Sequence, residues 1–344
     1  MYDEIISLEN LFAAWQEFKA GKEGKADVQA FGLKIEDNLF ALHEDLATGA
    51  YRHGGYEAFI VNDPKPRNIH KASVCDRVLH HAVVRVIEPL FERKFIYDSY
   101  ACRKGKGTHE AVERFRSFAW KVSRNNTRTV WVLKCDIRRF FDSVNHRVLL
   151  DLLARELGDP KALALLGAVI GSFATSPGRG IPLGNLTSQL FANVYLDRLD
   201  QFAKRRLGLK YYVRYADDFV IVSENQAYLE NLIPKLERFL RKYLLLDLHR
   251  GKLRLLKWHQ GVDFLGYVSF PHHAVLRTKT KRRLLARADE HNRSSYVGLL
   301  KHCRGFGIAR HIDKSGEKRY SHRRFKDQRY EKHLQSRFGS MHRL

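Results

Sequence analysis

The sequence predicts an α+β fold in which helices flank a central group of short strands. Three observations carry this. Apolar residues recur at helical spacing near the N-terminus, in Leu8, Leu11, Phe12, Trp15 and Phe18, and again over residues 31–46. β-branched and aromatic runs gather in the middle, at residues 129–136, 211–215 and 219–222. The regular βαβα alternation of a doubly wound sheet is missing.

In chain order, residues 1–50 read as helical. Residues 51–70 hold Gly54-Gly55 and Asp63-Pro64-Lys65-Pro66, which predict short strands and turns. Residues 73–95 return to helix, with Val78, Ala82, Val86 and Leu90 on one face. The glycine-rich basic loop ACRKGKGT (101–108) precedes a helix over 109–123. A strand at 129–136 ends in Asp136. Helices are expected over 149–173 and 185–204, then two strands joined by Ala216-Asp217-Asp218. A helix over 227–245, strands at 253–256 and 262–268, and a basic, mostly helical stretch from Lys279 complete the chain.

The 344 residues suffice for one large unit or two ordinary domains, and a hydrophobic content of 44% supports a sizeable core. No stretch reaches the roughly 18 apolar residues of a membrane span. The start, MYDEIISLEN, lacks a signal peptide's basic-then-apolar pattern, so a cytoplasmic protein with no membrane partner is expected. Lys and Arg total 61 against 38 acids, a net charge of +23. The basic residues are spread along the chain among 21 Phe, 15 Tyr and 4 Trp. Long backbone contact with base stacking is the footprint of nucleic-acid binding, whereas a membrane-surface protein confines its charge to one amphipathic helix. Cys75, Cys102, Cys135 and Cys303 are isolated, which excludes a CxxC zinc ribbon and argues against a disulfide framework. His80-His81 and His272-His273 lack the spacing of a metal-binding helix.

Acidic residues stand at two strand ends. Asp136 closes one apolar strand, and Asp217 and Asp218 occupy a tight strand-turn-strand unit. A carboxylate among buried apolar strands is costly without a compensating charge, which a divalent cation supplies. Two-metal phosphoryl transfer needs carboxylates from separate strands converging on one edge, and hard oxygen ligands suit Mg²⁺. An Asp-Asp pair alone is also an ordinary turn signal.

These residues carry a resemblance. YADDFVIV (215–222) resembles the YxDD catalytic motif of reverse transcriptases, and VWVLKCDIRRFFDSVNH (130–146) resembles their first catalytic motif. DFLGY (263–267) looks like the primer grip, and RNIHKASVCDRVLHHAV (67–83) like the fingers segment of the bacterial enzymes. The resemblance implies a right-hand polymerase, an RNA-directed DNA polymerase. Its parts would be an N-terminal helical extension (1–54), fingers (55–130), a palm of antiparallel sheet and helices (131–275, with a helical insertion at 150–180), and a small basic helical thumb and tail (276–344).

The same resemblance implies residue roles. Asp136 and Asp217 would bridge two Mg²⁺ ions, with Mn²⁺ as a substitute, Asp218 would complete the primer side, and the Ile137 carbonyl would be a backbone ligand. Tyr215 and Ala216 belong to the substrate-facing turn. Phe141 falls at the steric gate that selects deoxynucleotides, or is a core ring beside Phe140. Arg67 falls where the family grips the triphosphate. Lys65 and Arg77 lie near it in sequence and could instead be solvated or bind template phosphates. Lys252 matches the lysine that protonates pyrophosphate, with Lys257 as rival. Phe264, Leu265 and Gly266 form the primer grip. The substrates implied are template RNA, the RNA/cDNA duplex and dNTPs.

One segment bears on subtype. GIPLGNLTSQLF (180–191) departs from the PQGxxxSP of group II intron enzymes: Leu183 replaces Gln, and Gln189 replaces Pro around Gly184. This form, and SSYVGLLKHC (294–303), resemble the bacterial or phage reverse transcriptases of diversity-generating retroelements. That group copies RNA with errors at adenines and works with a small basic pentameric accessory protein. Loss of the Gln hydrogen bond would loosen the pocket by ~1 kcal/mol, about fivefold. Leu183 could equally serve only packing. The stretch after DFLGY leaves room for a small thumb and none for an RNase H, an HNH nuclease or an integrase. An antiviral-defence, retron or group II-like enzyme stays open.

Overall fold

The computed structural model describes residues 1–62, 66–289, 292–310 and 312. Residues 1–257 form one compact unit, and the described residues from Trp258 onward a second. The tail HRRFKDQRYEKH (322–333) lies outside the described residues.

The first unit opens with helices α1 (Tyr2–Ile6), α2 (Leu8–Lys19), α3 (Ala26–Gly32) and α4 (Ile35–Thr48). Ser7 caps α2 by accepting the Asn10 N–H, and Gly49 ends α4 at a φ of 74°, a left-handed cap that glycine adopts without strain. Strands β1 (Tyr56–Val61) and β2 (Arg67–Ala72) form an antiparallel hairpin, followed by α5 (Val74–Glu92) and α6 (Thr108–Val122). Helix α2 packs on α5 and buries Leu11, Trp15 and Phe18.

The central strands are β3 (Trp131–Asp136), β4 (Tyr212–Tyr215), β5 (Asp218–Ser223) and β6 (Arg254–Lys257). They form one antiparallel sheet in the order β4-β5-β3-β6. Val132, Leu133 and Cys135 of β3 and Phe219 to Val222 of β5 are buried, so the two central strands are covered on both faces. Between β3 and β4 lie α7 (Phe140–Ser143), α8 (His146–Ala154), α9 (Pro160–Gly171) and α10 (Leu186–Gln201). Helix α11 (Gln226–Phe239) packs on β3 and β5, and α10 packs on α5 and α8. Helices α10 and α11 each run on into a π-helical turn, at Phe202–Arg206 and Leu240–Leu244.

Two expected elements differ. The helix expected over 149–173 is broken in two. Gly158 weakens it, Asp159 turns its carboxylate onto the N–H groups of Lys161 and Ala162, and Pro160 starts the new helix. The strand expected over 262–268 is a hairpin, because Leu265 and Gly266 take φ values of 52° and 92° and reverse the chain.

That hairpin belongs to the second unit, where β7 (Val262–Phe264), β8 (Tyr267–Ser269) and β9 (Ala274–Leu276) form an antiparallel sheet. Helices α12 (Thr278–Arg287) and α13 (Arg293–Leu300) follow, and the Tyr267 hydroxyl donates to the Leu299 carbonyl. No helix among the described residues is long and apolar enough to cross a membrane.

Candidate active site

The register of the central sheet brings the strand-end acids together. Asp136, the last residue of β3, is paired with Asp218, the first of β5. Asp217 sits in the β4–β5 turn, and its carbonyl accepts the Ile137 N–H at 3.1 Å, so the backbones of the two strand ends are tied. The Asp136 carbonyl accepts the His249 N–H at 2.7 Å, and the Asp247 carbonyl that of Arg138 at 2.9 Å, which anchors the chain after α11 to the same edge.

The turn needs support because Ala216 has a φ of 50°, a left-handed conformation costly for a residue with a Cβ. Arg214 supplies it. Its guanidinium is fully buried, donates to the Ala216 carbonyl at 3.2 Å, and pairs with buried Asp200 of α10 at 2.6 Å. The Tyr212 hydroxyl donates to Asp200, and Arg214 also reaches the Ser99 hydroxyl and the Asn193 side-chain carbonyl. Sequence reasoning missed this group. The available signal was an arginine inside the otherwise apolar run Tyr211–Tyr215.

Electrostatically the site is strained. Burial, then the Asp136 charge, raises the Asp217 carboxyl above its ordinary range. Burial raises Asp218 to about 6, aided by the charges of Asp217 and Asp136 and opposed by Lys134. Lys252 answers part of this charge: its ammonium donates to both Asp136 oxygens, at 2.8 and 2.7 Å. Among the described residues no group of three His, Cys, Asp or Glu side chains is already arranged to hold a metal ion. Lys252 instead holds Asp136, at 2.7 Å. The donor chemistry nonetheless fits a hard divalent cation: three clustered carboxylates, short of positive charge, beside the Ile137 backbone. Lys257 sits over the Trp131 ring at 5.1 Å, at the other end of β3, so of the two lysines Lys252 reaches the acids.

A second group of expected residues converges on the β1–β2 hairpin. The Leu183 carbonyl accepts the His70 N–H at 3.0 Å, and the Asn185 side chain donates to the His70 carbonyl at 2.9 Å. Gly184 between them has a φ of 109°, and a Cβ there would stand 2.8 Å from Ile69 Cγ2. The Phe141 carbonyl accepts the Ile181 N–H at 2.9 Å, which ties its backbone to the segment leading into Leu183, while its half-buried ring meets the Phe140 ring edge-on at 5.3 Å. Arg67 opens β2, and its charge acts on Asp217. The buried Asn185 Oδ1 has no hydrogen-bond partner among the described residues, a feature the sequence did not flag.

The other expected residues are spread out. Arg77 pairs with Asp27 at 2.6 Å and lies over the Phe18 ring, among the N-terminal helices. Lys65 lies outside the described residues. Gln189 is exposed on α10, and the Tyr215 hydroxyl accepts from Thr108 at 3.3 Å. Phe264, Leu265 and Gly266 form the β7–β8 turn of the second unit, with Phe264 buried.

An antiparallel sheet whose adjacent strands bring acids to one end, with helices packed against it, defines the palm of a right-hand polymerase. The chain belongs to the reverse transcriptases, the RNA-dependent DNA polymerases: the pattern of that family matches residues 62–269. It is 26% identical to protein YkfC of Escherichia coli K12, over 68% of this chain and 71% of that protein. It is 21% identical to the group II intron-encoded protein LtrA of Lactococcus lactis, over 78% of this chain and 56% of LtrA. Among solved structures, telomerase from Candida tropicalis shares the fold with a TM-score of 0.52 at 12% identity, covering 73% of this chain and 52% of that one. The chain thus spans only about half the length of LtrA and of that telomerase.

Proposed function

We propose that this chain copies an RNA template into DNA by two-metal phosphoryl transfer at Asp136, Asp217 and Asp218, with Mg²⁺ as the ion and Mn²⁺ as a substitute. The observation that carries the reading is the pairing of Asp136 with Asp218 beside an Asp217 turn tied to Ile137. Divalent ions held there would activate the primer 3′-hydroxyl and stabilise the departing pyrophosphate. The carboxylates and the Ile137 carbonyl hold them, Arg67 orients the triphosphate, and Phe141 excludes a ribose 2′-hydroxyl. Lys252 leaves Asp136 and delivers a proton to the pyrophosphate. Phe264, Leu265 and Gly266 steady the primer. In this reading residues 55–130 are fingers, 131–275 palm, and 276–344 a basic thumb and tail, of which residues 313–344 lie outside the described residues. Primer extension with dNTPs on an RNA template tests it. Replacing Asp217 and Asp218 by Ala should abolish Mg²⁺-dependent incorporation while template binding persists; full incorporation by that variant would refute the assignment.

Within the family, the Leu183 and Ser188-Gln189 form supports a diversity-generating enzyme, error-prone at template adenines, acting in a bacterial cytoplasm with a pentameric basic accessory protein. Sequencing cDNA made from a defined RNA decides this, and uniform accuracy at adenines counts against it. The similarity to LtrA favours a second reading, an accurate group II-like enzyme, for which that uniform accuracy is the expected result.

A further inference from the structure

A cavity of about 850 Å³ lies among α5, α8, α10, α11 and the two π-helical turns. None of its lining residues belongs to the central sheet, the acid cluster or the β1–β2 hairpin. It therefore lies apart from the proposed catalytic residues. Its volume falls within the range of about 300–1,000 Å³ typical of ligand sites.

Three independent features mark it. The first is charge. Six basic side chains line it against two acids, Glu156 and Asp197. Lys94 pairs with Glu156. Arg93, Arg155, Arg198, Arg205 and Arg206 have no acidic partner within ion-pair distance among the described residues, so five guanidinium groups stand ready for an anion. Guanidinium is the side chain best shaped for phosphate. The second is aromatic. Phe202 and Phe239 stack with centroids 4.1 Å apart and planes at 9°, and Tyr243 packs against Phe239 at 5.1 Å with 51% of its surface exposed. The third is backbone. Both π-helical turns line this one cavity and carry Phe202, Arg205, Arg206 and Tyr243. Such turns are rare and recur at functional sites, because widening the helix re-aims side chains that regular winding would point elsewhere.

Anionic backbone plus planar base is the ligand chemistry that unpaired arginines beside a ring platform recognise. We propose that this cavity is a noncatalytic site for a single strand of nucleic acid, with a base stacked at Tyr243 and Phe202 and its phosphates held by Arg205, Arg206 and their neighbours. Asp197 supplies a hydrogen-bond acceptor for a base amino group, as acidic side chains do for exocyclic amines. It already accepts from Gln201 at 2.9 Å. Burial raises this carboxyl to about 6, so at neutral pH it is still mostly ionised and accepts. The strand is either RNA outside the copied segment or displaced cDNA. Both present base and phosphate, and separate RNA and DNA probes tell them apart.

The test uses the full chain with its cleft saturated by a chain-terminated primer–template. The probes are unprimed oligonucleotides of about ten nucleotides, within the ~4–16 of known single-strand sites. One probe is RNA bearing 4-thiouridine and the other DNA bearing 4-thiothymidine. Photocrosslinks should map to residues 202–206 and 239–243. The double variant Arg205→Glu/Arg206→Glu should weaken binding of the preferred probe at least about tenfold and flatten its salt dependence by about 0.7 per lost phosphate contact. Tyr243→Ala should weaken it about tenfold, and Tyr243→Phe should restore it, which a charge-only surface would not do. Extension of a primed template should stay within about twofold in all three variants. Parent-like binding of both probes by the variants, with crosslinks elsewhere, overturns the site and leaves the cavity to a protein partner. A parent chain that crosslinks there yet incorporates no dNTP would fell the polymerase reading and leave this one standing.

Discussion

Lys252 is the cation already on Asp136, and any metal that binds Asp136 must displace it. Lys252→Met should therefore tighten Mn²⁺ binding to the nucleotide-free enzyme while slowing incorporation. With Asp136 buried but Lys252 half-exposed to screening solvent, the pair is worth ~1.5 kcal/mol, so affinity by titration calorimetry should rise about tenfold. Unchanged affinity would mean that the lysine does not compete. Asp218 yields a second expectation. Its folded-state carboxyl stands near 6 against an ordinary 3.8, so the folded chain holds this proton more tightly than the unfolded chain. The associated stability is fully present below about pH 4 and is lost as pH rises through 6. At neutral pH the ionised cluster is a burden, and Asp218→Asn should raise the melting midpoint in metal-free buffer at pH 7.5 by about 2–4 °C. That gain should shrink as the pH falls below 6; a gain independent of pH would assign it to packing. The meeting of Asp136, Asp217 and Asp218 was legible because carboxylates at the ends of apolar strands need a reason to be there. The Arg214–Asp200 pair was not. Its members lie in a strand and a helix, and only the packed fold reveals that one neutralises the other beneath Ala216.

Most elements were legible at their centres and less so at their breaks. Runs of β-branched residues marked β3 and β5, whereas the split of residues 149–173 rests on a capping carboxylate whose geometry no periodicity encodes. The junction between the β1–β2 hairpin and the turn before α10 was not legible at all, since its hydrogen bonds join residues more than a hundred positions apart. Gly184 makes that junction. Its φ of 109° is open to glycine alone at low cost, and its Cα lies close against Ile69. Gly184→Ala adds backbone strain of about 1–3 kcal/mol and pushes β2, which carries Arg67, away from the Leu183 carbonyl. The expected outcome is lower stability with a KM for dNTP raised more than kcat is lowered. A fall in kcat alone, at constant KM, would mean that the junction does not position Arg67.

For the whole molecule the governing quantity is charge. A net +23 is self-repelling, and the unpaired arginines around the α10–α11 cavity show part of that repulsion left unanswered by the chain itself. Two effects should then separate on heating. Adding monovalent salt to the bare chain screens repulsion and raises the melting midpoint, most steeply where the screening length falls from ~30 Å at 0.01 M to ~10 Å at 0.1 M. A polyanion stabilises further by binding the folded surface, as any ligand of the native state does, and salt weakens that binding by restoring competition from counterions. Melting midpoints with and without single-stranded RNA, taken from 0.01 to about 1 M salt, should start well apart and converge as salt rises. If repulsion were distributed too thinly to matter, the bare chain would melt at one temperature throughout. If the basic residues were merely solvated faces, RNA would leave the low-salt midpoint where it was. Either flat response would remove nucleic acid as the answer to this charge, and with it the physical reason for a basic surface on a polymerase fold.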